Sequence, residues 1–327
     1  MAIAKTEKIW MNGRWVAWDD AKVHIMTHAM HYASAVFEGI RAYETPAGPA
    51  VFRLGEHIER LMFSARVYRM EVPYTAKQLE QVCCETVATN RLGDCYIRPL
   101  IYRGYENIGV NPFGNPIDVA IAAYPWGQYL GADALTKGVA VKISTWQRPA
   151  PNTLPVMAKA SANYMNSQLA KMEAIVDGYA EAISLDSNGF VSEGSGQNVF
   201  TVMKGEIVTP QLNNSILAGI TRSTVITLAQ DLGIPVREAT LPREALYAAD
   251  EMFFSGTAVE ISPIGSIDRM NIGDGIRGPV TQRIQEAFFE AVRGKNPKHH
   301  DWLTAVGSAA GAPVAAAAAV AASARPV

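Results

Sequence analysis

The stretch of sequence that decides the fold reads Glu193-Gly194-Ser195-Gly196-Gln197-Asn198-Val199-Phe200, then Ile207-Val208-Thr209, and then Leu217-Ala218-Gly219-Ile220-Thr221-Arg222. Small residues interrupt apolar runs here, and turn-forming residues lie at Asn188-Gly189 and Lys204-Gly205, so we predict β-hairpins over residues 181–210. Residues 221–232 follow a helical period and stop at Gly233, which readily adopts the left-handed conformation of a helix end. A helix that opens at Gly219 presents free amide groups, and such a helix end can bind an anion.

Outward from this stretch, the chain mixes strands and helices. Asn12-Gly13 has the residues of a type I′ turn, and residues 36–43 and 50–53 read as a strand pair. Helical spacing covers residues 54–69, and Thr75 is a suitable N-cap for a helix that reaches residue 90. Because the elements lack a regular βαβ rhythm, we predict α+β domains rather than a doubly wound sheet. Further strands are predicted at residues 95–103, 117–124, 139–146 and 251–255, and further helices at residues 162–175 and 280–292.

Length and composition predict two domains. A chain of 327 residues exceeds the size at which one core stops growing. Pro and Gly break the strand pattern after residue 125, so we place an interdomain linker at residues 126–134, between a small N-terminal domain (1–125) and a larger C-terminal domain (135–306). Residues 307–327 are rich in Ala, with Gly, Pro and Ser, and we predict a low-complexity tail there.

The bulk composition is that of a soluble globular protein. Hydrophobic residues make up 49% of the chain, charged residues 18%, and the formal net charge is -2, so we expect no membrane and no nucleic-acid partner. Cys83, Cys84 and Cys95 lack the spacing of a metal site, and we expect reduced thiols and no metal. Charged residues near the N-terminus interrupt any signal-peptide pattern, which favours the cytoplasm.

The opening stretch resembles the signature of class IV aminotransferases at every fixed position. Three more motifs, Phe37-Glu38-Gly39-Ile40-Arg41, Tyr96-Ile97-Arg98-Pro99 and Gly109-Val110-Asn111-Pro112, are similar to the branched-chain-amino-acid aminotransferase branch of that family. The resemblance covers about residues 8–303. It implies the two-domain α+β architecture of fold type IV, like that of D-amino-acid aminotransferase, with a small N-terminal domain, a larger C-terminal α/β domain, and pyridoxal 5′-phosphate in the cleft between them.

Four side chains match the cofactor residues of the family. A transaminase needs an amine that binds the cofactor covalently and then moves a proton, and Lys159 lies between small residues just ahead of a predicted helix. Glu193 matches the carboxylate that keeps the pyridine nitrogen protonated, Tyr164 the residue that hydrogen-bonds the phenolic oxygen, and Arg60 the phosphate-binding arginine. The other expected cofactor contacts, mainly at the phosphate, are Leu217, Gly219, Ile220, Thr221, Gly256 and Thr257.

One substrate pocket must accept an apolar side chain and also the second carboxylate of glutamate. An aromatic pocket with polar groups at its rim meets both needs, and the period of two puts Tyr96 and Arg98 on one strand face. The resemblance implies that Arg98 binds the distal carboxylate with the hydroxyls of Tyr129 and of Tyr32, the latter from the partner subunit of a dimer. The remaining expected contacts are Phe37, Tyr129 and Trp126 as apolar walls, Tyr96 and the amides of Thr257 and Ala258 at the α-carboxylate, and Gly39 and Val110.

These residues predict a transaminase that moves the amino group of L-leucine, L-isoleucine or L-valine to 2-oxoglutarate by a ping-pong mechanism, giving a branched-chain 2-oxo acid and L-glutamate. The resemblance also implies a homodimer or homohexamer. Alternatives on the same fold are a D-amino-acid aminotransferase, an (R)-selective amine transaminase and an aminodeoxychorismate lyase. An alternative of another class is a non-catalytic scaffold that binds pyridoxal phosphate. The preference among the three amino acids and the number of subunits stay open.

Overall fold

The computed structural model describes residues 3–127 and 134–307, which divide into two compact units. The first unit contains residues 3–126, 158–162 and 303–307, and the second contains residues 127, 134–157 and 163–302. Two segments that were predicted in the C-terminal domain, Ala158–Ala162 and residues 303–306, thus pack with the N-terminal one. Most of the predicted linker and the predicted tail beyond residue 307 lie outside the described residues.

An antiparallel sheet forms the first unit. Its strands are β1 (Lys8–Met11), β2 (Arg14–Ala17), β3 (Ala35–Phe37), β4 (Ile40–Thr45), β5 (Gly48–Phe52), β6 (Cys95–Arg103), β7 (Ile117–Pro125) and a terminal strand, Leu303–Ala305. They are hydrogen-bonded in the order Leu303–Ala305, β5, β4, β6, β7, β1, β2, and β3 pairs with β6. Asn12 at φ 47° and Gly13 at φ 86° join β1 to β2, which confirms the predicted type I′ turn.

The prediction of one continuous strand over residues 36–43 is wrong, because the chain is interrupted at Glu38-Gly39. Long strand β6 pairs with β3 on one side of the interruption and with β4 on the other. The Glu38 amide still donates to Pro99 O at 3.0 Å, while the Glu38 side chain is fully buried. Apolar residues on both sides make this break invisible to a hydrophobic period, and the break places a carboxylate inside the unit.

The helices of the first unit are α1 (His28–Tyr32), α2 (Leu54–Val67) and α3 (Ala76–Thr89). Thr75 caps α3 in a reciprocal capping box with Gln78, which confirms the predicted helix start. Both longer helices bury apolar residues, such as Ile58, Leu61 and Leu79, in one core cluster with residues of the sheet. Helix α2 is thereby fixed against the sheet, and its polar residues at positions 57, 60 and 64 share a face.

A mixed sheet forms the second unit. Its strands are β8 (Val139–Ile143), β9 (Glu181–Leu185), β10 (Val191–Gly194), β11 (Asn198–Met203), β12 (Glu206–Thr209), β13 (Val236–Glu238), β14 (Glu251–Gly256), β15 (Glu260–Ile267) and β16 (Met270–Asn271). Their order is β10, β9, β8, β15, β14, β11, β12, β13, with β16 beside β15. Strand β8 is parallel to β9 and β15, and β12 is parallel to β13. Strand β15 was not predicted, since Pro263 and Gly265 interrupt its apolar pattern.

The helices of the second unit are α4 (Ala134–Lys137), α5 (Asn163–Val176), α6 (Ile220–Asp231) and α7 (Pro279–Val292). Helix α5 contacts β9, whereas α6 contacts α7 and β14. Gly219 is the N-cap of α6, as predicted. The second unit therefore contains the end of β10, the start of β11 and the start of α6, and these segments carry most of the signature residues.

All three cysteines are buried and have free thiols. Burial raises the pKa of Cys84 to about 11 and that of Cys95 to about 12, so both thiols stay protonated at neutral pH. Within residues 3–127 and 134–307, no group of three or more His, Cys, Asp or Glu side chains could hold a metal ion. No helix in the same ranges has the length and apolar character that crossing a membrane requires.

Candidate active site

The backbone around Lys159 is fixed on both sides. The Lys159 amide donates to Ser64 Oγ at 2.9 Å, and Lys159 O accepts from the Phe37 amide at 3.0 Å. The neighbouring residues Ala158 and Ala160 are each 1% exposed, so no larger side chain would fit there without rearrangement. The Lys159 side chain itself is half-buried, and its Nζ lies 5.2 Å from the centre of the Phe37 ring. A short segment thus presents one amine from a well-defined position.

A buried cluster of charged groups lies in the same unit. Arg60 binds the Glu38 carboxylate with two hydrogen bonds, from Nε to Oε1 at 2.6 Å and from Nη2 to Oε2 at 2.9 Å. His57 Nδ1 lies 2.8 Å from Glu38 Oε2. His57, Arg60 and Ser64 are on one face of α2, so the helix that carries the predicted phosphate arginine also holds the backbone of Lys159. Sequence reasoning did not find the partners of Arg60, because they come from separate segments.

The pKa values of both Glu38 and His57 are lowered in this cluster. Burial alone would raise the pKa of Glu38, but the charges of Arg60 and His57 and their hydrogen bonds outweigh it and hold that pKa well below its usual range. Burial lowers the pKa of His57, the Glu38 charge opposes this, and the charges of Arg60 and Lys159 lower it further. Near neutral pH, His57 is therefore neutral and donates its Nδ1 proton to an ionised Glu38.

We expect His57 to make the protein less stable between pH 7 and pH 5. Its pKa in the folded chain lies below the roughly 6.5 of an unfolded histidine, so the unfolded chain takes up a proton first as the pH falls. The free energy of unfolding should fall by at most about 1.4 kcal/mol per pH unit from this residue. Urea unfolding at pH 7, 6 and 5 measures it: His57→Gln, which keeps a donor for Glu38, should have a shallower slope. Equal slopes in the two proteins would contradict the assignment.

Aromatic rings surround a second arginine of this unit. Arg98 Cζ lies 4.8 Å from the centre of the Phe37 ring and 5.2 Å from that of Tyr96, and Arg98 Nη2 is 3.4 Å from Tyr96 Oη. Trp126 packs on the Tyr96 ring at 4.8 Å. A Cβ atom at Gly39 would lie 1.8 Å from Tyr96 Oη, so only glycine permits this approach. The predicted face of β6 is confirmed: it presents a cation among apolar surfaces.

Two predicted substrate residues, Tyr32 and Val110, are exposed to solvent. Tyr32 is 42% exposed on α1, and Val110 is 89% exposed on the loop after β6. His28 connects the two segments, since its Nε2 lies 2.9 Å from Gly109 O and its ring packs on Tyr32 at 4.6 Å. Tyr129 lies outside the described residues. Tyr32 and Val110 are thus surface residues of one chain.

In the second unit, Glu193 accepts hydrogen bonds from donors on three segments of the chain. Its Oε1 is 2.9 Å from Arg148 Nη2, and its Oε2 accepts from Asn198 Nδ2 and from the Leu217 amide, both at 3.1 Å. Glu193 and Arg148 are 5% and 6% exposed. Sequence reasoning missed Arg148, since nothing in Trp146-Gln147-Arg148 marks a partner for a residue in a later strand. The result is a buried carboxylate that faces a guanidinium and has a fixed orientation.

The start of α6 provides a set of donors. Gly219 has no side-chain cap, and Thr221 is buried in the first turn of this 12-residue helix. A Cβ at Gly219 would lie 2.0 Å from Asn198 Oδ1, so the glycine lets the helix start close to β11. Strand β14 pairs with β11 and ends at Gly256, which is followed by Thr257 and Ala258. The amides and hydroxyls at these two ends suit an anion.

Comparison with known proteins places the chain in a family. The amino-transferase class IV model matches residues 35–267. The chain belongs to the class IV aminotransferases. The branched-chain-amino-acid aminotransferase of Salmonella typhimurium is 50% identical over 309 residues, which are 94% of this chain and 100% of that protein. The structure of the Escherichia coli branched-chain amino acid aminotransferase has 50% identity and a TM-score of 0.91, and covers 92% of this chain and 100% of that one.

A third relative has a ligand in its structure. The branched-chain amino acid aminotransferase of T.th., complexed with N-(5′-phosphopyridoxyl)-L-glutamate, has 46% identity and a TM-score of 0.89, and covers 92% of this chain and 99% of that one. These comparisons confirm the predicted family, the two-domain α+β fold of type IV, and transaminase activity. The cofactor of the family is pyridoxal 5′-phosphate, as predicted.

The side chains fit this cofactor. Within the part of the chain that the structure describes, Gln197 Nε2 and Ser255 Oγ are buried atoms without a hydrogen-bond partner. Gln197 belongs to the signature, and Ser255 pairs with the signature residue Asn198 across β14 and β11. A Cβ at Gly256 would lie 3.3 Å from Gln197 Cβ, so this glycine allows the end of β14 to lie close to Gln197. Donors, a fixed carboxylate and an amine are the groups that pyridoxal phosphate requires. When bound, it takes up the amino group of one substrate, stabilises the negative charge at Cα, and gives the amino group to the next.

Proposed function

We propose that the protein transfers the amino group of L-leucine, L-isoleucine or L-valine to 2-oxoglutarate, giving the branched-chain 2-oxo acid and L-glutamate. The observation that carries this proposal is the Arg98 guanidinium between the rings of Phe37 and Tyr96. Aromatic surfaces bind a branched aliphatic side chain, whereas the guanidinium binds a second carboxylate. The glutamate adduct in the third relative and the names of the relatives support the same pair of substrates.

Each chemical task is assigned to a residue of the chain. Lys159 binds the cofactor and moves the proton between the substrate Cα and the cofactor, for which its fixed backbone holds the amine in place. Glu193 keeps the pyridine nitrogen protonated, and Tyr164 donates to the phenolic oxygen. Arg60 and the start of α6, with Leu217, Gly219, Ile220, Thr221, Gly256 and Thr257, bind the phosphate end, and Tyr96 with the amides of Thr257 and Ala258 holds the α-carboxylate.

Exposed apolar residues in α1, just before it and in the loop after β6 support assembly with a second copy of the chain. Ile25, Met30, Val110 and Phe113 are 68%, 60%, 89% and 60% exposed, and His28 joins the two segments. Exposed apolar surface often marks a protein contact. We therefore assign Tyr32 and Val110 to the active site of a partner subunit. The assembly is a homodimer or a homohexamer, and we place it in the cytoplasm. Sedimentation of the purified protein tests this, and a monomer at micromolar concentration would contradict it.

Initial rates with a panel of L- and D-amino acids and 2-oxoglutarate test the function. L-Leucine, L-isoleucine and L-valine should be good donors, and their D-enantiomers and (R)-1-phenylethylamine should be poor ones. A preference for the D-amino acids or the (R)-amine would establish a different transaminase of the same fold. Release of pyruvate from aminodeoxychorismate would show that the protein is the lyase. Cofactor binding without turnover of any amino donor would indicate a non-catalytic scaffold.

Arg98→Met should separate the two half-reactions. Leucine has no second carboxylate, so removal of the guanidinium should slow the reaction of 2-oxoglutarate and largely spare that of leucine. Loss of an interfacial charge pair costs about 2 to 5 kcal/mol, so kcat/KM for 2-oxoglutarate should fall at least about 30-fold. Single-turnover stopped-flow traces measure each half-reaction. Arg14→Met, which removes an exposed arginine of the same sheet, is the control. Equal losses for leucine and 2-oxoglutarate in Arg98→Met would show that Arg98 does not read the second carboxylate.

A further inference from the structure

We propose that Arg148 is a positioning residue that acts through Glu193: it fixes the carboxylate and keeps it ionised, so that Glu193 can hold the pyridine nitrogen in its protonated form. The inference rests on the role proposed for Glu193. Arg148 itself is assigned no contact with substrate or cofactor.

The guanidinium of Arg148 divides its donors between two segments. Its Nη2 binds Glu193 Oε1 at 2.9 Å, and its Nη1 donates to Ser167 Oγ at 3.1 Å and Asn166 Oδ1 at 3.3 Å. The Arg148 amide donates to Leu185 O at 2.8 Å, at the end of β9. Because the guanidinium is planar and rigid, these contacts fix the direction of Nη2 toward the carboxylate.

Arg148 differs from Asn198 and the Leu217 amide, which also donate to Glu193, because it is positively charged. Asn198 Nδ2 and the Leu217 amide are neutral, so they orient Oε2 without offsetting its charge. A carboxylate as buried as Glu193 is costly without a counter-charge, and it then tends to take up a proton. A protonated Glu193 could no longer stabilise the positive pyridine nitrogen. Arg148 therefore supplies the counter-charge that the buried carboxylate needs.

The same guanidinium also reaches the helix that carries Tyr164. Asn166 and Ser167 follow Tyr164 near the start of α5, so Arg148 fixes this end of the helix relative to β10. A lysine has one point charge and cannot direct separate donors at two segments with the same geometry. Arg148→Lys should therefore keep the charge effect and lose part of the orientation.

A double-mutant cycle tests the inference. Arg148→Met and Glu193→Gln are made singly and together, and turnover of L-leucine with 2-oxoglutarate is measured for each protein. Arg148→Met alone should lower kcat at least about tenfold, corresponding to about 1.4 kcal/mol. A neutral amide at position 193 needs no counter-charge, so Arg148→Met should cost less than about twofold in the Glu193→Gln background. An arginine with a purely structural role would instead lower the rate by the same factor in both backgrounds.

Two further measurements do not depend on turnover. The dissociation constant of pyridoxal phosphate from the apoprotein, followed by fluorescence quenching, should rise in Arg148→Met and return most of the way in Arg148→Lys. The thermal midpoint of the apoprotein reports folding, and Arg237→Met, which breaks the exposed pair with Glu206 in the same unit, is the control for loss of an ion pair. If Arg148→Met does not fold, the same cycle is made with Arg148→Gln, which also removes the positive charge but keeps a side-chain donor.

The outcomes distinguish this inference from the role of Glu193. Wild-type turnover in Glu193→Gln would remove Glu193 from the mechanism and overturn the inference with it. A slow Glu193→Gln combined with independent, multiplying effects of the two substitutions would overturn the role of Arg148 alone. A slow Glu193→Gln that is barely slowed further by Arg148→Met is the result we expect.

Discussion

Lys159→Ala should lose at least about 10³-fold in turnover and all of the covalent attachment of pyridoxal phosphate. The amine is assigned both the bond to the cofactor and the movement of the proton, and a positioned acid–base group alone contributes about 10² to 10⁴ in rate. After borohydride reduction and trypsin digestion, the peptide that contains residue 159 should carry the phosphopyridoxyl mass in the wild-type protein and lack it in the variant.

The substitution should leave the fold intact. The hydrogen bonds that hold this segment, to Ser64 and from Phe37, are made by the backbone of residue 159 and survive the loss of its side chain. Circular dichroism and the thermal midpoint of the apoprotein check this. Lys22→Ala, at an exposed lysine of the same unit, is the control. If Lys159→Ala retains normal turnover and another lysine is labelled, Lys159 is not the cofactor-binding residue.

Glu193→Gln should retain pyridoxal phosphate and lose about 30- to 150-fold in turnover, because a charge-assisted hydrogen bond of roughly 2 to 3 kcal/mol is replaced by a neutral one. The amide of a glutamine at position 193 also has only one oxygen, so it cannot accept hydrogen bonds at both of the positions that the two carboxylate oxygens occupy. Its oxygen can serve Arg148 or the pair formed by Asn198 and the Leu217 amide, and its NH₂ group then faces donors on the other side.

Kinetic isotope effects give this prediction a second readout. A weaker electron sink makes the breaking of the Cα–H bond more rate-limiting, so the effect of deuterium at Cα of L-leucine on kcat should increase. Glu181→Gln is a matched control, since Glu181 is fully buried on the neighbouring strand and pairs with Lys171. It should lower stability and leave turnover nearly unchanged. Wild-type turnover in Glu193→Gln would mean that another group protonates the pyridine nitrogen.

Local patterns in the sequence determined the elements that carry the site. The Asn12-Gly13 turn, the capping box at Thr75 and the start of α6 at Gly219 depend on residues within a few positions of each other, and the structure has all three. The shared face of Tyr96 and Arg98 follows from the period of a strand alone. The signature identified the family for a similar reason. It consists of short segments, and the backbone geometry of each depends on residues that are close together in the sequence.

Only the tertiary structure decided which charges meet. Glu38 pairs with Arg60 although the two are 22 residues apart, and Glu193 pairs with Arg148 on a separate segment. The segment Ala158–Ala162 lies between parts of the second unit along the chain, yet it packs with the first, because its backbone bonds to Phe37, Ser64 and Ala35. A hydrophobic period reports which face of an element is buried, and it contains no information on which buried charge finds which partner. A buried charge without a partner is energetically costly, so buried charges pair with opposite ones. The tertiary fold determines which residues come close enough to form each pair.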